Sequence, residues 1–161
     1  MDTLPAIEHR GERAYVARRV VMPLRDFGER IPVLMGELCG WMQQHNVTAS
    51  GAMFLRFHTI DMPERIDVEA ALPVDGAPQP EDDISTGTVP AGRYATLIYT
   101  GVENAVAQNR RLIDWIAAQG ETMDYERRTD GDHFAARIET LMSDPEDLPA
   151  QSQWQIAIKL R

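Results

Sequence analysis

The 161 residues carry 16 Lys and Arg against 25 Asp and Glu, a formal charge of −9. That field repels phosphate backbones and anionic lipid, and the basic doublets Arg18-Arg19, Arg110-Arg111 and Arg127-Arg128 are scattered, so no nucleic-acid surface is expected. The single cysteine, Cys39, cannot form an internal disulfide, and no run approaches the ~20 apolar residues needed to cross a bilayer.

The length suits one domain over residues 1–161, large enough to fold without disulfides. The opening MDTLPAIEHRGER is polar and charged, unlike a signal peptide, so a cytoplasmic location is expected.

In chain order, Tyr15–Met22 is β-branched and aromatic and predicts a strand. Ile31, Leu34, Met35, Leu38, Trp41 and Met42 recur at three- and four-residue spacing. They predict a helix over Ile31–Asn46, with Pro32 in its first turn. Ala52–Ile60 and Ile66–Val74 read as strands joined by a turn at Asp61–Glu64. Asp75–Asp83 is a Pro/Asp/Gly loop, followed by a short strand at Ile84–Val89 and another at Tyr94–Tyr99. Val102–Gln119 predicts a second helix stopped by Gly120. Phe134–Met142 and Trp154–Leu160 close the chain as strands.

The elements repeat in order. Residues 12–75 and 84–161 each run strand, helix, strand, strand, with Tyr15 matching Tyr94, Trp41 matching Trp115, Arg56 matching Arg137, and Val68-Glu69 matching Trp154-Gln155. The fold class expected is therefore α+β: two pseudo-symmetric β-α-β-β repeats with antiparallel sheets and a ligand cleft where the halves meet.

Glu139 and Glu69 are the candidate chemical groups, for binding or for catalysis. Strand alternation places Arg137, Glu139 and Leu141 on one face, amid apolar neighbours. A carboxylate there either meets a cationic ligand, is solvated at an edge, or pairs with Arg137 or Arg56. Glu69 shares a face with Ala71 and Pro73, and alternation favours a solvated role for it. Phe54, Phe57, Tyr94, Tyr99, Trp115 and Phe134 fall on elements flanking the expected cleft, where aromatic faces attract organic cations, although packing is the simpler role for Trp41 and Trp115. His9, His45, His58 and His133 lack metal-site spacing, so neither a metal nor a cofactor is expected. Cys39 reads as a structural thiol within a helix.

Three segments together resemble GyrI-like domains: Leu72-Pro-Val74 followed by Val89-Pro-Ala-Gly-Arg-Tyr-Ala95 and Tyr99-Thr-Gly101; Leu112-Ile-Asp-Trp-Ile116; and Arg137-Ile-Glu139 with Ser143-Asp-Pro145. The resemblance implies the effector-binding module of AraC- and MerR-type multidrug-sensing activators, here as a stand-alone member, since the residues before Tyr15 are too few for a helix-turn-helix. It implies a ligand-contacting glutamate at Glu139. The Tyr that family members often carry two residues later is Leu141 here.

Three functions follow as expectations. The first is a small-molecule binder for amphipathic organic cations, with Glu139 as counter-charge. The second is a cyclopropanoid-hydrolase-like enzyme, in which Glu139 or Glu69 activates water and Tyr94 or Tyr99 donates a proton. The third is a protein-interaction module such as a gyrase modulator, for which Glu81-Asp-Asp83 is the one dense acidic run.

Overall fold

The computed structural model describes residues 2–76, 78–81 and 83–161; Met1, Ala77 of the predicted loop and Asp82 of the acidic run lie outside the described residues. The first half contains β2 (Arg13–Met22), α1 (Phe27–Gln44), β3 (Phe54–Asp61) and β4 (Arg65–Pro73). The second contains β6 (Gly92–Thr100), α2 (Ala105–Ala118), β9 (Arg137–Leu141) and β10 (Gln153–Lys159). Around them run β1 (Ala6–Arg10), β5 (Ile84–Val89), and a hairpin of β7 (Tyr125–Arg128) and β8 (Gly131–Phe134).

All pairings are antiparallel, in the order β1-β6-β10-β9-β3-β4-β2-β5. From the central β9–β3 contact each half reads outward in the same way, ending in a strand lent by the other side of the chain. Two of the residue matches agree in register. Tyr15 lies opposite Pro73, four residues beyond Glu69, as Tyr94 lies opposite Lys159, four beyond Gln155. The Arg56–Arg137 match does not: Arg56 faces Glu69, whereas Gln155 faces Thr140.

Both helices lie on one face. Ile31, Leu34, Leu38 and Met42 bury the α1 stripe against Val16, Leu55, Phe57, Val68 and Ala70. Leu112 and Ile116 do the same for α2 against Leu97, Tyr99, Ile156 and Ile158. Each such side chain contributes about 1.5–3 kcal/mol on leaving water. The helix-free face is not solvated either. Tyr15 of β2 and Tyr94 of β6, with four strands between them in the order, belong to one buried cluster with Phe54, Val89 and Ile138. The sheet curls, so this concave face closes on itself.

Helix α1 begins four residues before the predicted Ile31, because Phe27 stacks on Phe57 and anchors the extra turn. Asn46, with a positive φ of 54°, ends it. Cys39 is exposed rather than buried, on the outer side of α1. The strand predicted over Phe134–Met142 is broken at Ala135-Ala136. There the Ala135 N–H donates to Asp124 O at 2.9 Å, its carbonyl accepts from Arg56 at 3.0 Å, and Ala136 O accepts from the Lys159 N–H at 2.9 Å. Strands β1 and β7 are short and mostly polar, and their sequences show no clean alternation.

Candidate functional site

Two buried glutamates, each under a tyrosine hydroxyl, sit on opposite faces of the sheet. Glu139 lies on the helix-covered face, opposite Leu55 of β3 and Ile156 of β10. The hydroxyl of Tyr99 donates to its Oε1 at 2.7 Å, and Asn109 Nδ2 of α2 approaches Oε2 at 3.4 Å. Among the described residues no cation pairs with it directly. Burial pushes its carboxyl above the ordinary value, against the Tyr99 hydrogen bond, the charge of Arg137 and the Asn109 contact. The same burial, with the Glu139 charge, pushes the Tyr99 phenol up.

Two residues back on the same face, Arg137 stacks over the Phe134 ring at 4.8 Å. Its Nη2 donates to Asn109 Oδ1 at 2.8 Å. Asn109 thus bridges the two charges, accepting a hydrogen bond from Arg137 through Oδ1 and donating one to Glu139 through Nδ2. Burial works against the Arg137 charge, opposed by Glu139 and Asp132. Arg137 forms part of the wall of an open cleft of about 550 Å³ between α2, the β3–β4 turn and the β7–β8 hairpin. Arg110, Arg127 and Arg128 line it too, against Asp61 and Asp132. Gly131 closes the hairpin against β3: at its φ of 125°, a Cβ would lie 2.7 Å from Ile60 O.

Glu69, on the concave face, is buried at 3 % exposure rather than solvated. Alternation gave the correct face, but the curl of the sheet removes that face from water. Its Oε1 accepts from the Tyr15 hydroxyl at 2.7 Å and contacts His58 Nε2, while Ser85 Oγ donates to Oε2 at 2.8 Å. Arg56 extends the network, donating to the Tyr15 oxygen at 2.9 Å and to Thr88 O at 3.0 Å. Burial acts to raise the Glu69 carboxyl, yet the bonds from His58, Tyr15 and Ser85 outweigh it and hold the group below its ordinary value.

The structure therefore brings together Glu139, Tyr99 and Arg137. Leu141 and Phe57 lie on the same face: Leu141 is paired with Trp154, and Phe57 packs beneath α1. Phe134 supports Arg137 from below. Glu69, Phe54 and Tyr94 belong to the opposite face and do not share this site; the Tyr94 hydroxyl donates to Pro90 O at 2.6 Å. Trp115 packs at the edge of the α2 core. Neither predicted ion pair to Glu139 forms, since Arg137 turns to Asn109 and Arg56 points to the other face. Sequence reasoning missed Asn109, which sits one helical turn before Ile113 on the α2 stripe, and the Tyr15, His58 and Ser85 partners of Glu69. Their only signal is polar residues on otherwise apolar elements.

With this geometry in view, residues 7–161 match the GyrI-like small molecule binding domain, and the chain belongs to that family. Among solved structures it is similar to the EcmrR C-terminal domain, with 17 % identity over 98 % of this chain and 97 % of that one, at a TM-score of 0.73. In the EcmrR–DNA complex the identity is 18 % and the TM-score 0.78, but this chain, 98 % of which is covered, spans only 57 % of that protein. It also resembles SAV2435 bound to tetraphenylphosphonium, with 13 % identity, 99 % and 94 % coverage and a TM-score of 0.60. A hydrolase encoded by lin2189 from Listeria innocua has 10 % identity, 98 % and 91 % coverage and a TM-score of 0.57. Likeness at these identities concerns the fold. Comparison with curated protein sequences returned no match. No helix among the described residues is long and apolar enough to cross a membrane.

Proposed function

We propose that this small-molecule-binding domain takes an amphipathic organic cation, with Glu139 as its counter-charge. The observation carrying this reading is a buried carboxylate that, among the described residues, has two neutral hydrogen-bond partners and no direct ion pair. Such a group is costly to keep ionised, and a cation arriving beside it recovers that cost. Tyr99 and Asn109 hold the carboxylate's orientation, and Phe57 and Leu141 are buried apolar neighbours on the same face. Since Glu139 lies beneath Asn109, entry requires α2 to give way. A neighbour of the same fold holding tetraphenylphosphonium supports the reading by analogy.

Titration with tetraphenylphosphonium tests it. Micromolar binding that weakens at least tenfold in Glu139→Gln, about 1.4 kcal/mol, is expected. Binding that the substitution leaves unchanged sinks the reading.

A second reading, hydrolysis of an electrophilic small molecule, draws on the Tyr99–Glu139 contact at 2.7 Å. A phenol and a carboxylate at that distance can act as an acid and base pair. Turnover lost in both Glu139→Gln and Tyr99→Phe, with ligand affinity retained in Tyr99→Phe, would favour it over simple binding.

A further inference from the structure

The cleft that Arg137 lines, two residues along β9 from Glu139, has the wrong sign for a ligand that is only a cation. Of the six charged residues lining it, Arg110, Arg127, Arg128 and Arg137 are basic and Asp61 and Asp132 acidic. This concentrates four of the chain's 16 basic residues around one opening in a protein of net charge −9.

Arg137 is the inner member. Among the described residues no carboxylate pairs with its guanidinium, and the acceptor it reaches is Asn109 Oδ1 at 2.8 Å. A guanidinium offers five donors in a planar fork suited to an oxyanion, so most of its capacity is unused. Its plane is steadied by the Phe134 ring at 4.8 Å and by Asn109, which leaves little rotamer freedom to lose on binding. Arg128 at the rim is already paired to Glu126, whereas Arg110 is exposed on α2. Arg137 and Glu139 are two residues apart on one strand face, so their Cα atoms are separated by roughly 7 Å, within the span of one aromatic dye or drug-sized molecule.

We propose that this cleft is an oxyanion subsite, in which Arg137 receives the carboxylate of a ligand whose cationic end meets Glu139. The preferred ligands are then zwitterionic aromatic molecules rather than simple lipophilic cations. This rests on the reading of Glu139 as a counter-charge and adds a second, opposite contact to it.

The test compares a rhodamine bearing a free benzoate with its ethyl ester, which keeps the cation and loses the anion, by fluorescence titration of the full chain. In the unmodified protein the free acid is expected to bind about tenfold tighter than the ester. Arg137→Gln should reverse the order, weakening the acid and tightening the ester, because the repelling charge is gone. Arg110→Gln, on the exposed side of α2, should narrow the preference two- to threefold. Equal or tighter binding of the ester by the unmodified protein overturns the subsite while leaving the Glu139 reading intact. Binding of neither dye overturns both. The dye ratio in the unmodified protein decides the matter even if Arg137→Gln fails to fold.

Discussion

The two buried glutamates invite comparison because each lies 2.7 Å from a tyrosine hydroxyl yet is pushed in the opposite direction by its surroundings. Glu69 has His58, Tyr15 and Ser85 as donors, with Arg56 behind them. Its charge is satisfied by the protein, and the group works as a structural tie between β4, β2, β3 and β5. Glu139 has one good hydrogen bond and a long one. Burial dominates there, and among the described residues no cation pairs with the charge. A polar cluster whose members satisfy one another stabilises the fold, whereas one that stays short of partners is suited to receiving a ligand.

The largest effect is expected at Glu69. Glu69→Gln leaves the His58, Tyr15 and Ser85 donors sharing a neutral, geometrically mismatched amide, and should lower unfolding free energy by about 3 kcal/mol. Chemical denaturation measures this. Cation affinity should be unchanged, because the group faces away from the ligand site. A parallel loss of binding would mean that the two faces are coupled.

The two carboxyls should respond to pH with opposite signs. Glu69 has a lowered folded-state pKa, so its stabilisation is present above the ordinary value of 4.5 and lost as pH falls through the lowered value. Glu139 has a raised one, so its cost is absent at low pH and grows as pH rises from 4.5 through the raised value. Glu139→Gln should therefore stabilise the protein above that window, by about 1 kcal/mol, with the gain vanishing on acidification. Thermal melts of both proteins across pH would reveal it. Cation affinity should move with the same titration, weakening as pH falls and the carboxyl takes up its proton.

The smallest effect expected is at Tyr99. Removing its hydroxyl in Tyr99→Phe takes away the one short bond to Glu139, worth about 1 kcal/mol, and should push the carboxyl higher still. The pH at which cation binding is half lost should then shift upward. An unchanged midpoint would show that the hydroxyl does not hold the charge.

Much of this architecture is legible in the chain. The helix stripes, the alternation that puts Arg137, Glu139 and Leu141 on one side, and the repeated element order are local patterns with periods of 3.6 and 2, and these follow from backbone geometry alone. Glu139 is legible for the same reason, as a carboxylate on a strand without a polar face. What tertiary structure decided was which faces stay wet and who partners whom. Glu69 lies on the face alternation predicts, yet the curl that joins Tyr15 to Tyr94 buries it. His58 and Ser85 reach it from strands 11 and 16 residues away. Asn109 meets Arg137 and Glu139, 28 and 30 residues distant in the chain, only because α2 packs on β6 and β10 beside β9. The arginine-lined cleft likewise forms from three separate elements. Side-chain periodicity is written into neighbouring residues, but partnership between charges depends on long-range closure of the sheet, and no local pattern encodes that.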